Sequence, residues 1–304
     1  MRRRTWIVAS VAGAALVGTV VCVGLALVPD RDQASPPTTT AARQQTPTPT
    51  PTPTPAAVPA APSAAELAAL PLAFHDAVIP GLLDGSDVHP ENGWQIATPN
   101  AQLVALYASP DADAAPVGTL SATVSTVELP AATAVWGRSP GVDGGMLLVS
   151  TPARNRTPGD GGVPDAPSAT FAWARAADFR VADTDRTIRV DVAASTVSVV
   201  ARSGQVIASE AARLGTPEDP TPTATATYVE AAYVDARVTY TQGNPIILTG
   251  AHSSRIPSYG GNAALTALHY YPDPTGSSHG CVRISAAMTK TLAALPVGTP
   301  IQFT

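Results

Sequence analysis

Hydrophobic and polar positions follow four successive patterns along the chain. From Trp6 to Val28 no charged residue occurs, and Arg2, Arg3 and Arg4 stand just before this run. About 20 apolar residues cross a hydrocarbon core, and a basic flank stays cytoplasmic. The pattern predicts a transmembrane helix within residues 1–30, a signal anchor that holds the remaining chain outside the membrane. Cleavage of the same segment as a signal peptide is the alternative. Residues 31–63 carry no such run. They hold five consecutive Thr-Pro pairs, Thr46 to Pro55, in a Thr/Pro/Ala tract. Proline at every second position fixes φ and removes donors, which predicts an extended linker close to polyproline II. At about 3.1 Å per residue, that linker reaches on the order of 100 Å.

Residues 64–182 open with apolar positions at Leu67, Leu70, Phe74 and Val78, a helical spacing over Ala64 to Leu83. Short alternating runs follow at Leu103 to Tyr107, Ala122 to Val127 and Met146 to Val149, separated by turns rich in Gly, Pro and Asp. Such punctuation predicts a small all-β module. Its ending, Phe171 to Arg175, resembles the last strand of a bacterial SH3-like domain. His75 and His89 stand isolated in it and read as structural or solvent-facing.

Residues 183–304 alternate again. Thr187 to Val192 and Thr196 to Val200 predict a hairpin, and strand-like runs recur at Tyr228 to Val234, Arg237 to Tyr240, Ile246 to Thr249 and Leu265 to Tyr271. The period then changes to helical. Ser285 is a suitable N-cap, Met288, Leu292 and Leu295 share a face, and Pro296-Val297-Gly298 ends the helix. Ile301 to Phe303 adds a short strand. The whole body is thus expected to be mostly β, with one well-formed helix in the second unit.

Charge narrows the function. Lys and Arg number 18 against 23 Asp and Glu, and the three N-terminal arginines reduce the basic count of the body to 15. So acidic a body has no nucleic-acid footprint. Two cysteines occur, Cys22 in the apolar run and Cys281. Thr19-Val20-Val21 lacks the small residue that lipoprotein cleavage at Cys22 requires. The external body therefore holds one thiol, which cannot form an intramolecular disulfide and is flagged as reactive.

The neighbours of Cys281 are Ser277-Ser278-His279-Gly280-Cys281-Val282-Arg283-Ile284. An imidazole can hold a thiol as thiolate. A glycine lets backbone amides approach a carbonyl, as an oxyanion site needs. In an extended segment His279, Cys281 and Arg283 would face one side. A mixed His/Cys metal site built from His252, His269, His279 and Cys281 is another reading, unsupported by any metal-ligand spacing pair.

Ser278-His279-Gly280-Cys281-Val282-Arg283 resembles the signature of the L,D-transpeptidases (YkuD domain) of bacterial cell walls. The resemblance extends to Pro220-Thr221-Pro222-Thr223 and to the Ile188 to Val200 hairpin, and covers about residues 183–304. It implies a β-sandwich-like catalytic domain with a mobile flap, and acyl transfer from a peptidoglycan tetrapeptide stem to an amine of a second stem, a 3→3 cross-link made without a cofactor. By this resemblance Cys281 is the nucleophile. His269 is the base, held by the backbone carbonyl that follows it, with His252 as the alternative base. His279 orients the site, and the amides of Gly280 and Cys281 donate to the oxyanion. Arg283 and Ser278 contact substrate, and Tyr259 lies in the flap. Carbapenems would acylate Cys281. Hydrolysis of the acyl-enzyme, attachment of proteins to the wall, or a non-catalytic wall-binding role remain open. Lys290 is the sole lysine, and a chain dominated by Ala and Pro fits a GC-rich, actinobacterial genome.

Overall fold

The computed structural model of the chain describes residues 55–304 apart from 89, 262 and 274. The anchor expected within residues 1–30, the linker up to residue 54, and His89 lie outside the described residues. Among the described residues no helix is long and apolar enough to cross a membrane.

Ser63 starts the first helix, α1 (Ala64–Ala69), with a reciprocal cap. Its Oγ accepts from the Glu66 amide and its own amide donates to Glu66 Oε2. The helix does not run on to Leu83 as the apolar spacing predicts. Pro71 excludes the helical conformation from the residue before it, and Leu70 is extended at φ −83°, ψ 153°. The chain turns instead into β1 (Leu72–Ala73).

The first sheet follows with β2 (Leu83–Asp84), a four-residue helix α2 (Gly85–Val88), β3 (Gln95–Pro99), β4 (Leu103–Tyr107) and β5 (Pro116–Ser121). A separate hairpin, β6 (Thr123–Val124) with β7 (Leu129–Pro130), is all that forms of the strand expected over Ala122 to Val127. Then come β8 (Thr133–Ser139), β9 (Met146–Thr151), β10 (Thr170–Arg175) and β11 (Phe179–Asp183). Their order is β1-β5-β4-β10-β9-β8-β3-β11, with β2 also on β10. Thr170–Arg175 is therefore central and not the closing strand. A 3-10 turn at Ala176–Asp178 leads into β11, which pairs with β3.

The second sheet comprises β12 (Arg186–Asp191), β13 (Thr196–Ala201), β14 (Val206–Ala211), β15 (Thr225–Tyr233), β16 (Ile246–His252), β17 (Leu265–Tyr270), β18 (Val282–Ile284) and β19 (Pro300–Phe303). They run in the order β14-β13-β12-β19-β15-β16-β17-β18. The predicted β12–β13 hairpin forms, its turn held by the Asp191 carboxylate on the Ala194 amide at 2.7 Å. Arg237 to Tyr240 is not a strand. Asp235 accepts from the Arg237 amide at 2.8 Å, and a 3-10 turn at Thr239–Thr241 follows. The helix α3 (Ala286–Ala293) is capped by Ser285, whose Oγ accepts from the Met288 amide at 3.1 Å. Met288 and Leu292 pack on Ile247, Leu268 and Val282 beneath the sheet.

The two sheets meet along an apolar seam. Trp136, Leu148 and Phe171 pack there against Ala226 and Tyr228 of β15. Two titratable groups are buried nearby. Glu230, at a bulge of β15, is 4% exposed, and its Oε2 has no hydrogen-bond partner among the described residues. Burial pushes its carboxyl up to about 8. His252, at the end of β16, is 1% exposed and its Nε2 donates to the His75 carbonyl at 2.9 Å. Burial, with help from Arg154, pushes its pKa down to about 3.

Candidate active site

Two parallel strands position the chemistry. β17 and β18 pair with Leu268 opposite Val282 and His269 opposite Arg283. The chain enters β18 through a tight turn in which the Cys281 amide donates to the Ser278 carbonyl at 3.2 Å. Both central residues are left-handed, His279 at φ 55° and Gly280 at φ 81°. Glycine suits this place twice over. The φ is costly for other residues, and a Cβ would lie 3.1 Å from both the Pro220 carbonyl and the Ser253 Cβ. The segment is thus not extended through His279, so simple alternation does not orient that ring. Cys281 and Arg283, two apart, do face the same cavity.

Hydroxyls fix the turn. Ser278 Oγ donates to the Cys281 carbonyl at 2.6 Å, Thr221 Oγ1 donates to the same oxygen at 3.3 Å, and Thr266 Oγ1 donates to the Gly280 carbonyl at 3.3 Å. Ser278 is 2% exposed. The His279 ring is set by a carboxylate: its Nδ1 lies 2.9 Å from Asp219 Oδ2. Asp219 Oδ1 accepts from Ser277 and Thr216, both at 2.6 Å. Partial burial works against the Asp219 charge, yet these donors and His279 hold its carboxyl below the usual range. The Tyr259 hydroxyl donates to the His279 carbonyl from above.

His269, Ser278, His279, Cys281, Arg283 and Tyr259 all line one cavity of about 530 Å³, walled on its apolar side by Leu248 and Leu265. Within it His269 is 5% exposed, and its Nδ1 lies 3.0 Å from the Tyr270 carbonyl. A carbonyl can only accept, so Nδ1 carries the proton and Nε2 of the neutral ring keeps its lone pair. Burial lowers the His269 pKa, the Tyr270 carbonyl opposes this, and Arg283 and Arg213 reinforce it. The ring is therefore neutral at pH 7. Burial likewise raises the Cys281 pKa, against a hydrogen bond from the Ala267 amide and the nearby Arg283 charge. At rest the two groups are thiol and neutral imidazole in one pocket.

His252 does not line this cavity; its ring is committed to the His75 carbonyl at the seam. A metal site of His252 with His269, His279 and Cys281 therefore lacks a member. Among the described residues no three His, Cys, Asp or Glu side chains gather as a metal site.

Several site residues escape sequence reading. Asp219 directly precedes the Pro220-Thr221 turn, but nothing local says that it meets His279, 60 residues on in the chain. Arg213 is brought in by backbone pairing: its amide donates to the Arg283 carbonyl and the Arg283 amide to its own, both at 2.9 Å. The two guanidiniums approach the Tyr271 ring, Arg283 at 4.0 Å and Arg213 at 5.7 Å from its centroid. Tyr240 packs 5.4 Å from the His269 ring.

Residues 185–302 match the family model YkuD, the L,D-transpeptidase catalytic domain. Among curated proteins none matches. Among solved structures the chain is similar to an L,D-transpeptidase (Yku) from Stackebrandtia nassauensis at 21% identity and a TM-score of 0.28, over 40% of this chain and 57% of that one. It is similar to an L,D-transpeptidase from Mycobacterium smegmatis at 17% identity and a TM-score of 0.31, over 52% and 90%. The catalytic domain of the Enterococcus faecium L,D-transpeptidase matches at 21% identity and a TM-score of 0.28, over 40% and 97%. The chain spans about half the length of the first structures it matches.

Proposed function

We propose, from the premise that residues 185–302 are a YkuD L,D-transpeptidase catalytic domain, that the chain cross-links peptidoglycan stems by cysteine acyl transfer. The observation that carries this reading is the neutral His269, tied at Nδ1 to Tyr270, in the same cavity as the single thiol of the body.

The Cys281 proton passes to His269 Nε2 as sulfur attacks the carbonyl of the third residue of a tetrapeptide stem. The resulting oxyanion is met by backbone amides of the Gly280-Cys281 turn, the Cys281 amide leaving its 3.2 Å bond to Ser278 as the charge develops. His269 returns the proton to the departing amine of D-Ala, leaving a thioester. An amine of a second stem then attacks, loses a proton to His269, and expels the Cys281 thiolate, which takes that proton back. The product is a 3→3 cross-link, and the thioester conserves the energy of the first bond, so no ATP is needed. His279, held by Asp219, orients the nucleophile turn. The cationic pair Arg283 and Arg213 suits a substrate carboxylate. The arginine flank and charge-free run at the N-terminus support an anchor with the catalytic body on the wall side.

The test is intact-mass spectrometry of the chain with a tetrapeptide-stem muropeptide, then with a carbapenem. An acyl adduct lost in Cys281→Ala, with dimeric muropeptide formed by the wild type, supports the transpeptidase. Adduct with tripeptide product alone indicates a carboxypeptidase. No adduct removes the catalytic reading in favour of a wall-binding protein.

A further inference from the structure

The segment over the cavity, residues 253–261, is secured from loops of the first sheet. Arg154, just after β9, is 1% exposed, and its Nη2 donates to the Ile256 carbonyl at 2.9 Å and to the Ser253 carbonyl at 3.3 Å. Its own backbone is pinned. The Arg154 amide donates to the Ala77 carbonyl at 2.9 Å, and its carbonyl accepts from Ile79 at 2.8 Å. Although burial lowers its pKa to about 10, the guanidinium stays cationic at neutral pH.

Two more contacts lie on the same segment. Arg255 Nε donates to Asp165 at 2.8 Å and the Ala166 amide donates to the Ser254 carbonyl at 2.9 Å. At its far end Gly261 has φ 93°, and a Cβ there would come within 2.6 Å of the Asp76 carboxylate. Between these points stands Tyr259, 55% exposed, with its hydroxyl on the His279 carbonyl and its ring nearly perpendicular to that of His279. The segment is a strap, tied near its start to residues 154, 165 and 166 and, through Arg255 Nη1, to the Pro217 carbonyl at 2.7 Å, passing close to Asp76 at Gly261 and resting in between on the nucleophile turn.

We infer that Arg154 and Asp165 are positioning residues for acyl transfer: by holding the strap they set the height of Tyr259 above Cys281, and so the width of the donor entrance. This rests on the acyl-transfer reading and gives the first sheet a role in it. Both bonds leave the one planar Nη2 group, and a lysine side chain ends short of that nitrogen with its donors splayed tetrahedrally, so an ammonium does not reach both carbonyls from the same buried site. Arg154→Lys therefore keeps the buried charge but frees one end of the strap. Asp165→Asn weakens the second tie on a half-exposed ion pair, where folding is not at stake.

The experiment compares the full chain with both variants by three readouts: the melting temperature, the rate of Cys281 alkylation by iodoacetamide, and donor KM and kcat for acylation. The expected result for Arg154→Lys is a donor KM raised roughly tenfold, as loss of one charge-assisted hydrogen bond implies, with a smaller change in kcat and several-fold faster alkylation of folded protein. Asp165→Asn moves the same readouts less far. An Arg154→Lys protein that melts normally and keeps wild-type KM and alkylation overturns the inference. If that variant does not fold, unchanged KM and alkylation in Asp165→Asn do so instead. A wild type that is never acylated overturns the functional reading, while the alkylation comparison still decides on the strap.

Discussion

Glu230 gives a measurable pH signature to the seam between the sheets. Its carboxyl titrates at about 8 in the folded protein because burial disfavours the charge, whereas an unfolded Glu has its ordinary value of about 4.3. Between those values the folded state holds a proton that the unfolded state releases. Stability contributed by the protonated acid is therefore complete below the unfolded value and is lost as pH rises towards the folded one. The slope in this window approaches 1.4 kcal/mol per pH unit, so raising the pH from 5 to 7 costs roughly 2.5 kcal/mol. Gln has the shape of the protonated acid and cannot ionise. Any fixed cost of seating its amide is the same at both pH values. Urea unfolding of wild type and Glu230→Gln, followed by tryptophan fluorescence at pH 5 and 7, isolates the term, because every other titrating group cancels in the difference. The variant should gain about 2.5 kcal/mol on wild type between pH 5 and pH 7. A difference that does not change with pH refutes the argument that this carboxyl is buried with its Oε2 unpartnered among the described residues.

His252 has the opposite sign. Its folded pKa of about 3 lies below the ordinary 6.5, so the unfolded chain takes up the proton first and stability falls as pH drops below 6.5. Urea unfolding should show Glu230→Gln losing roughly 2 kcal/mol between pH 7 and pH 5 from this group, and adding His252→Gln should flatten that limb. Because burial lowers the His269 pKa, the acid limb of acylation kcat/KM should have its midpoint below 6.5; a midpoint at or above 6.5 counts against His269 as the base. His269→Asn should lower acylation by 10² to 10⁴-fold in single-turnover mass spectrometry while the melting temperature is kept. Ser285→Ala removes the cap of α3 and should cost about 1 kcal/mol in the same unfolding assay.

What the sequence reveals and what it hides divide along one line. The β12–β13 hairpin, the strand that carries His269, the Ser285 cap and the Ser278-to-Arg283 block are local patterns, and local patterns are legible. β14 was not, because an edge strand with mostly exposed positions shows no buried stripe. β18 is three residues long, too short for a period. The helix expected to Leu83 shows apolar spacing outvoted by one proline. Asp219, Arg213 and Arg154 are invisible for a different reason: each meets its partner through tertiary packing, and an isolated charged residue in a loop looks the same whether or not it will be buried. That His269 and not His252 lines the thiol cavity also needed the third dimension, since both lie on strands.

The position of β19 has a consequence for how the molecule comes into being. This four-residue strand lies between β12, to which it is parallel, and β15. Thr187 and Pro300, joined across that seam, are 113 residues apart. Until residues 300–303 arrive, β12 to β14 and β15 to β18 remain separate fragments, each with a naked edge. Closing so long a loop is slow and entropically costly. The first sheet can assemble from contacts within residues 64–183 much earlier. Synthesis order thus builds a delay into the half that holds the thiol: the strand that carries His269 and the one that Cys281 leads into belong to no complete sheet until almost every described residue has emerged. A chain stopped before Pro300 would carry the thiol without the scaffold that disciplines it.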